Sequence, residues 1–93
     1  MKANEFVKKF GWDAVRQIVG DCELLGDKYF IHDNSEICVY DLKRLVESHE
    51  LVDECGGLEK AKNRVELEER LPNPNVFYVL VVSSAISDVE ACQ

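Results

Sequence analysis

The most regular alternation of apolar and polar positions lies in residues 40–57, YDLKRLVESHELVDECGG. Leu42, Leu45, Val46, His49 and Val52 recur at 3.6-residue spacing, whereas Lys43, Arg44, Glu47 and Glu50 project elsewhere, which predicts an amphipathic helix. Asp41 is the expected N-cap and Gly56-Gly57 the expected stop. Leu51 and Cys55 lie off the main stripe, so this helix is expected to meet a second neighbour and to form the centre of the core.

Upstream, Asn4 is the expected N-cap of a short helix with Phe6, Val7 and Phe10 facing inward and Gly11 at its end. Asp13 offers a second cap, followed by Ala14, Val15, Ile18 and Val19 as an inward stripe and by Gly20-Asp21 as a stop. One bent helix over residues 4–19 is the competing reading. Trp12, at the break, is expected to pack on the core with its indole edge near the surface. Between residues 28 and 41 the pattern changes to β-branched and aromatic runs, Tyr29-Phe30-Ile31 and Ile37-Cys38-Val39-Tyr40, around the turn formers Asp33-Asn34-Ser35. A β-hairpin follows, and an isolated hairpin is marginal in water, so one of its faces must pack on helices.

Residues 58–71 predict another helix. Leu58, Ala61, Val65 and the stem of Glu68 share one face, Leu67 and Leu71 lie on another, and Pro72 and Pro74 end it. In the tail, Tyr78, Val81, Val82, Ala85, Val89 and Cys92 form a helical stripe behind Asn75, while Val76 to Val82 also satisfies a buried strand. The helix is the reading adopted. It leaves Ser83, Ser87 and Glu90 to water and leaves Val76, Phe77 and Leu80 without a partner surface. The expected fold is therefore mainly α (α+β), one small helical domain over residues 1–93 with one β-hairpin packed on a central amphipathic helix.

Composition adds limits. At 93 residues, with 46% hydrophobic and 31% charged residues, the chain has the make-up of a folded globular protein. Its longest apolar run, residues 76–82, is well short of the roughly 18 residues that cross a bilayer, and MKANEFVKKF lacks a signal-peptide core, so a cytoplasmic location with no membrane partner is expected. The net charge of −7 is uneven: +2 over residues 1–20, −7 over 21–57, zero over 58–71 and −2 over 72–93. An acidic centre repels phosphate backbones, which makes nucleic acid an unfavoured partner and a basic protein surface a natural one.

The candidate chemistry is sparse. Cys22, Cys38, Cys55 and Cys92 have no C-x-x-C spacing and read as reduced thiols; with His32 and His49 they offer a metal-dependent module as a minor alternative. No phosphate-binding glycine loop, nucleophile elbow or H-E-x-x-H helix is present. His49 falls on an apolar stripe and reads as a core or interface histidine. No enzyme activity and no cofactor are expected. The two short N-terminal helices invite comparison with a helix-turn-helix, in which Lys8, Lys9, Arg16 and Gln17 would contact DNA, yet few other side chains there could reach base edges.

The strings NEFVKKFGWDAVRQIV and DLKRLVESHELVDECGGLEKAK resemble small accessory proteins of lambdoid temperate phages and enterobacterial prophages. The resemblance spans the first two-thirds of the chain and carries no catalytic residue. It implies the cytoplasm of a bacterial host cell and a role in modulating the host or the lysis-lysogeny choice. On this reading the protein binds a host or phage protein through Glu47, Glu50, Asp53 and Glu54 together with Val76, Phe77 and Leu80, and the last three residues also favour a homodimer. A DNA-binding regulator acting through residues 1–20 is the alternative.

Overall fold

A computed structural model describes residues 1–93 as five helices and one antiparallel hairpin. The order is α1 (Ala3–Phe10), α2 (Trp12–Leu25), β1 (Tyr29–His32), β2 (Ser35–Cys38), α3 (Val39–Glu54), α4 (Leu58–Glu69) and α5 (Val76–Ala91). The mainly α class with a single hairpin is therefore correct. The chain divides into two units, residues 1–46 with 92–93, and residues 47–91; α3 contributes to both. The strongest packing between elements joins chain neighbours: α1 with α2, β1 with β2, and α4 with α5.

In the first unit, Glu5 near the start of α1 and Lys8 and Lys9 near its end complement the helix dipole, while Phe6 and Val7 are buried. Asn4 is not the cap, because the helix begins at Ala3 with Lys2 ahead of it, and Phe10 stays 39% exposed. Gly11 separates two helices, so the single bent helix is not formed. Asp13 likewise falls inside the first turn of α2 instead of capping it.

Gly20-Asp21 does not stop α2. Val15, Val19 and Cys22 are all buried, so the inward stripe continues across Gly20, and that packing outweighs the roughly 1 kcal/mol a helical glycine costs. The stop is Gly26, which adopts φ 74°. Its N–H donates to the Glu23 carbonyl at 3.3 Å and that of Asp27 to the Cys22 carbonyl at 2.9 Å, the double closure that a left-handed residue permits.

Asp33 and Asn34 form the two-residue hairpin loop with φ of 48° and 63°, values tolerated best by Asn, Asp and Gly and matched to the twist of the strands. The register sets Tyr29 opposite Cys38, Phe30 opposite Ile37, Ile31 opposite Glu36 and His32 opposite Ser35. Ser35 is thus the first residue of β2, not part of the turn. Alternation turns Phe30 and Ile37 to the core and leaves Tyr29 and Ile31 exposed. Val39 and Tyr40 belong to α3. This helix starts before Asp41, which therefore places its charge in the first turn without being the cap. The core consists of Phe6, Val7, Val15, Val19, Ile37, Leu42, Leu45, Val46 and Cys92, with Ala3, Trp12, Ile18 and Phe30 packed on it. Phe6 meets Phe30 edge-on at 5.6 Å between ring centroids, a favoured aromatic geometry.

In the second unit, α3 ends on Gly56 and Gly57, with φ of 96° and 110°. Gly57 donates to the Val52 carbonyl at 3.0 Å, and its own carbonyl accepts the Ala61 N–H at 2.9 Å, so one residue closes α3 and opens α4. Along α4, Ala61 is buried and Leu58, Val65 and Glu68 are partly so, whereas Leu67 is exposed, as is Leu71 beyond the helix end at Glu69. Asn75 caps α5 as expected: its Oδ1 accepts the Tyr78 N–H at 3.1 Å, and its own N–H donates to Glu68 Oε1 at 2.9 Å. These bonds start a helix where the apolar run alone also allowed a strand. Val82, Ala85, Ile86 and Val89 form its buried stripe. The expected stripe needs one correction, since Val81 is 40% exposed and Ile86 takes an inward position.

Candidate interaction faces

Most surface helices present charge to water. The outward face of α5 does not: Val76, Phe77 and Leu80 are 62%, 76% and 64% exposed, and Val81 lies beside them. Its other exposed residues are Ser83, Ser84, Ser87 and Ala91, all small, and Glu90 at its C-terminal end. No charged residue occurs from Val76 to Ser87. The N-terminal half of the helix is therefore apolar on opposite sides, one side filled by its own unit and the other open; helices apolar all round are normally buried.

Two polar links position α5 within its unit. The Ser48 hydroxyl donates to Asp88 Oδ2 at 2.8 Å, and Lys62 Nζ lies 3.1 Å from Glu90 Oε2. The second is an exposed ion pair that fixes register more than it stabilises. A groove of about 360 Å³ opens between α4 and α5, lined by Arg64, Leu67, Glu68, Asn75 and Tyr78.

Glu47, Glu50, Asp53 and Glu54 are all exposed on α3. At about 100° per residue, Glu47, Glu50 and Glu54 fall within about 60° of one another, and Asp53 lies further round. Three of the four predicted acids thus form one stripe, and Asp53 flanks it.

The alternative DNA-contact residues Lys8, Lys9, Arg16 and Gln17 are exposed as well, but their surroundings are mixed. Arg16 Nη1 lies 3.9 Å from Asp13 Oδ1, Lys9 Nζ stands 5.4 Å from the Phe10 ring centroid, and α2 also bears Asp21 and Glu23. Glu23 pairs with Lys43 at 3.0 Å.

No disulfide joins the four cysteines; Cys22 and Cys92 are buried, Cys38 and Cys55 partly so. Burial, with Asp27 and Asp21 nearby, pushes the Cys22 thiol above its ordinary pKa and so keeps it protonated. No group of three or more His, Cys, Asp or Glu side chains is arranged to hold a metal ion. No helix is long and apolar enough to cross a membrane.

Sequence reasoning singled out Val76, Phe77 and Leu80 and turned Ser83, Ser87 and Glu90 to water, as they are, but passed over Ser84 and Ala91 on the same face. The signal was the order of sizes along α5, large residues first and Ser or Ala afterwards. It also passed over Leu24, Leu25, Tyr29, Ile31 and Tyr40, which are exposed by between 58% and 89% in the first unit. Comparison with protein-family models, curated proteins and solved structures finds no match to this chain.

Proposed function

We propose that this protein is a non-enzymatic accessory protein of a temperate phage or prophage that acts in the bacterial cytoplasm by binding other proteins. The observation that carries the reading is the uncharged apolar face of α5, left open to water in a strongly acidic chain. Exposed patches of large apolar side chains mark contact surfaces, and a second surface on α3 supplies selectivity. There Glu47, Glu50 and Glu54 favour a basic host or phage protein and repel nucleic acid. The phage setting is supported by the resemblance of NEFVKKFGWDAVRQIV and DLKRLVESHELVDECGGLEKAK described above.

The test is affinity capture from an enterobacterial lysate with the tagged chain at about 1 µM, beside a variant with Glu47, Glu50 and Glu54 changed to Lys. A protein retained by the natural sequence and lost with the charge-reversed variant is the expected result. Identical protein sets on both baits would refute the acidic stripe as a recognition surface.

A further inference from the structure

The geometry points to a second copy of this chain as the occupant of the α5 face, docked as an antiparallel helix pair about a two-fold axis. The inference rests on the reading of α5 as a contact face and names what covers it. The first argument is charge. Two chains of net charge −7 repel each other, so self-association requires a surface free of like charges. Residues 76–87 of α5 form such a surface, with no ionisable group except Tyr78 on the inward half; Asp88, next along, is held by the Ser48 hydroxyl, and Glu90 lies beyond the overlap of a pair centred near Val82.

The second argument is shape. Large side chains, Val76, Phe77, Leu80 and Val81, occupy the N-terminal half of the face, and Ser83, Ser84 and Ser87 the C-terminal half. An antiparallel pair centred near Val82 sets Leu80 of one copy against Ser84 of the other, and Phe77 against Ser87. Large then meets small at both ends, as a two-fold interface demands. A parallel pair would set Phe77 on Phe77 and serine on serine, with crowding at one end and a gap at the other.

The third argument is area. The four large side chains expose on the order of 450 Å² per copy, about 900 Å² for the pair and below the roughly 1,200 Å² of standard specific interfaces, so the dimer is weak and transient and forms only toward the upper end of the concentration range below.

Sedimentation equilibrium of the full chain from about 1 µM to 1 mM tests the proposal. The natural sequence should pass from monomer to dimer across that range. Leu80→Asp should remain monomeric throughout, with a Kd raised at least about 100-fold, because two carboxylates would be buried in the pair. Ser84→Arg should do the same by filling the small half. Both positions are exposed, and unchanged far-UV circular dichroism would show that folding is intact. A natural sequence that stays monomeric to 1 mM, or a dimer indifferent to both substitutions, overturns the proposal. Capture experiments at about 1 µM, where the chain is monomeric, report on the contact-face reading separately. A protein captured by the natural chain and lost with Leu80→Asp, together with a natural sequence that stays monomeric to about 1 mM, would overturn the second copy while leaving α5 a contact face.

Discussion

Gly20→Ala should make the protein more stable, and the sign of that effect depends on whether α2 runs unbroken to Leu25. Gly20 lies inside the helix, it is exposed, and a Cβ built there meets nothing within 4 Å. The substitution therefore adds no clash and leaves the core unchanged. It lowers the entropy of the unfolded chain and replaces the poorest helix former other than proline by the best, for a gain of about 0.5–1 kcal/mol. In a chain of this length that corresponds to a rise in Tm of about 2–8 °C. Urea unfolding followed by circular dichroism measures it, and an unchanged m-value assigns the shift in midpoint to stability. Gly56→Ala is the matched control of opposite sign. At φ 96° an alanine is strained, and its Cβ would lie 2.6 Å from Lys60 Cδ. The lysine tip can move aside, so the backbone dominates, and the loss is about 1–2 kcal/mol. A neutral or destabilising Gly20→Ala would refute the continuous helix and restore a break at Gly20-Asp21.

Other expectations are equally direct. Leu45→Ala should cost about 2–5 kcal/mol in urea titration because Leu45 is buried in the first core, and a loss under about 0.5 kcal/mol would misplace the inward face of α3. Asn75→Ala removes the side-chain acceptor for the Tyr78 N–H and should cost about 1 kcal/mol, read by the same titration; no change would mean that the cap does not form. The raised pKa of Cys22 means that the folded state holds its proton longer than the unfolded chain. Its contribution is therefore fully present below the unfolded thiol pKa of about 8.5 and declines as pH rises toward the folded value; Cys22→Ala should flatten the fall in stability on the alkaline side. A mobility-shift assay at low salt should show no sequence-selective DNA binding, and binding that is lost on Lys9→Ala and Arg16→Ala would favour the regulator reading instead.

Element identity was legible wherever periodicity and capping agreed. The stripe Leu42, Leu45, Val46 and Val52 with Gly56-Gly57 behind it located α3, and Asn75 marked the start of a segment whose composition also allowed a strand. Boundaries were less legible because side chains with capping chemistry are not always used as caps. Asn4, Asp13 and Asp41 all sit within first turns, and a neighbouring backbone takes the position each was expected to hold. Gly20 misled for a related reason, since local propensity predicts a break while buried Cys22, one turn beyond buried Val19, carries the helix through. The large members of the α5 face could be read because they fall off the inward stripe. Val81 and Ile86 exchanged roles because the buried stripe is turned by about 40° from the expected one, and sequence spacing does not fix that rotation.

The pairing of chain neighbours has a kinetic consequence. When α1 meets α2, β1 meets β2 and α4 meets α5, each strong contact closes only a short stretch of chain, so little loop entropy is lost before packing begins to compensate. The hairpin, with its two-residue loop, forms in about 1–10 µs, and helical turns form faster still. Folding should thus be quick, in the microsecond to millisecond range of low-contact-order proteins, leaving the open apolar side of α5 little time in a partly folded chain.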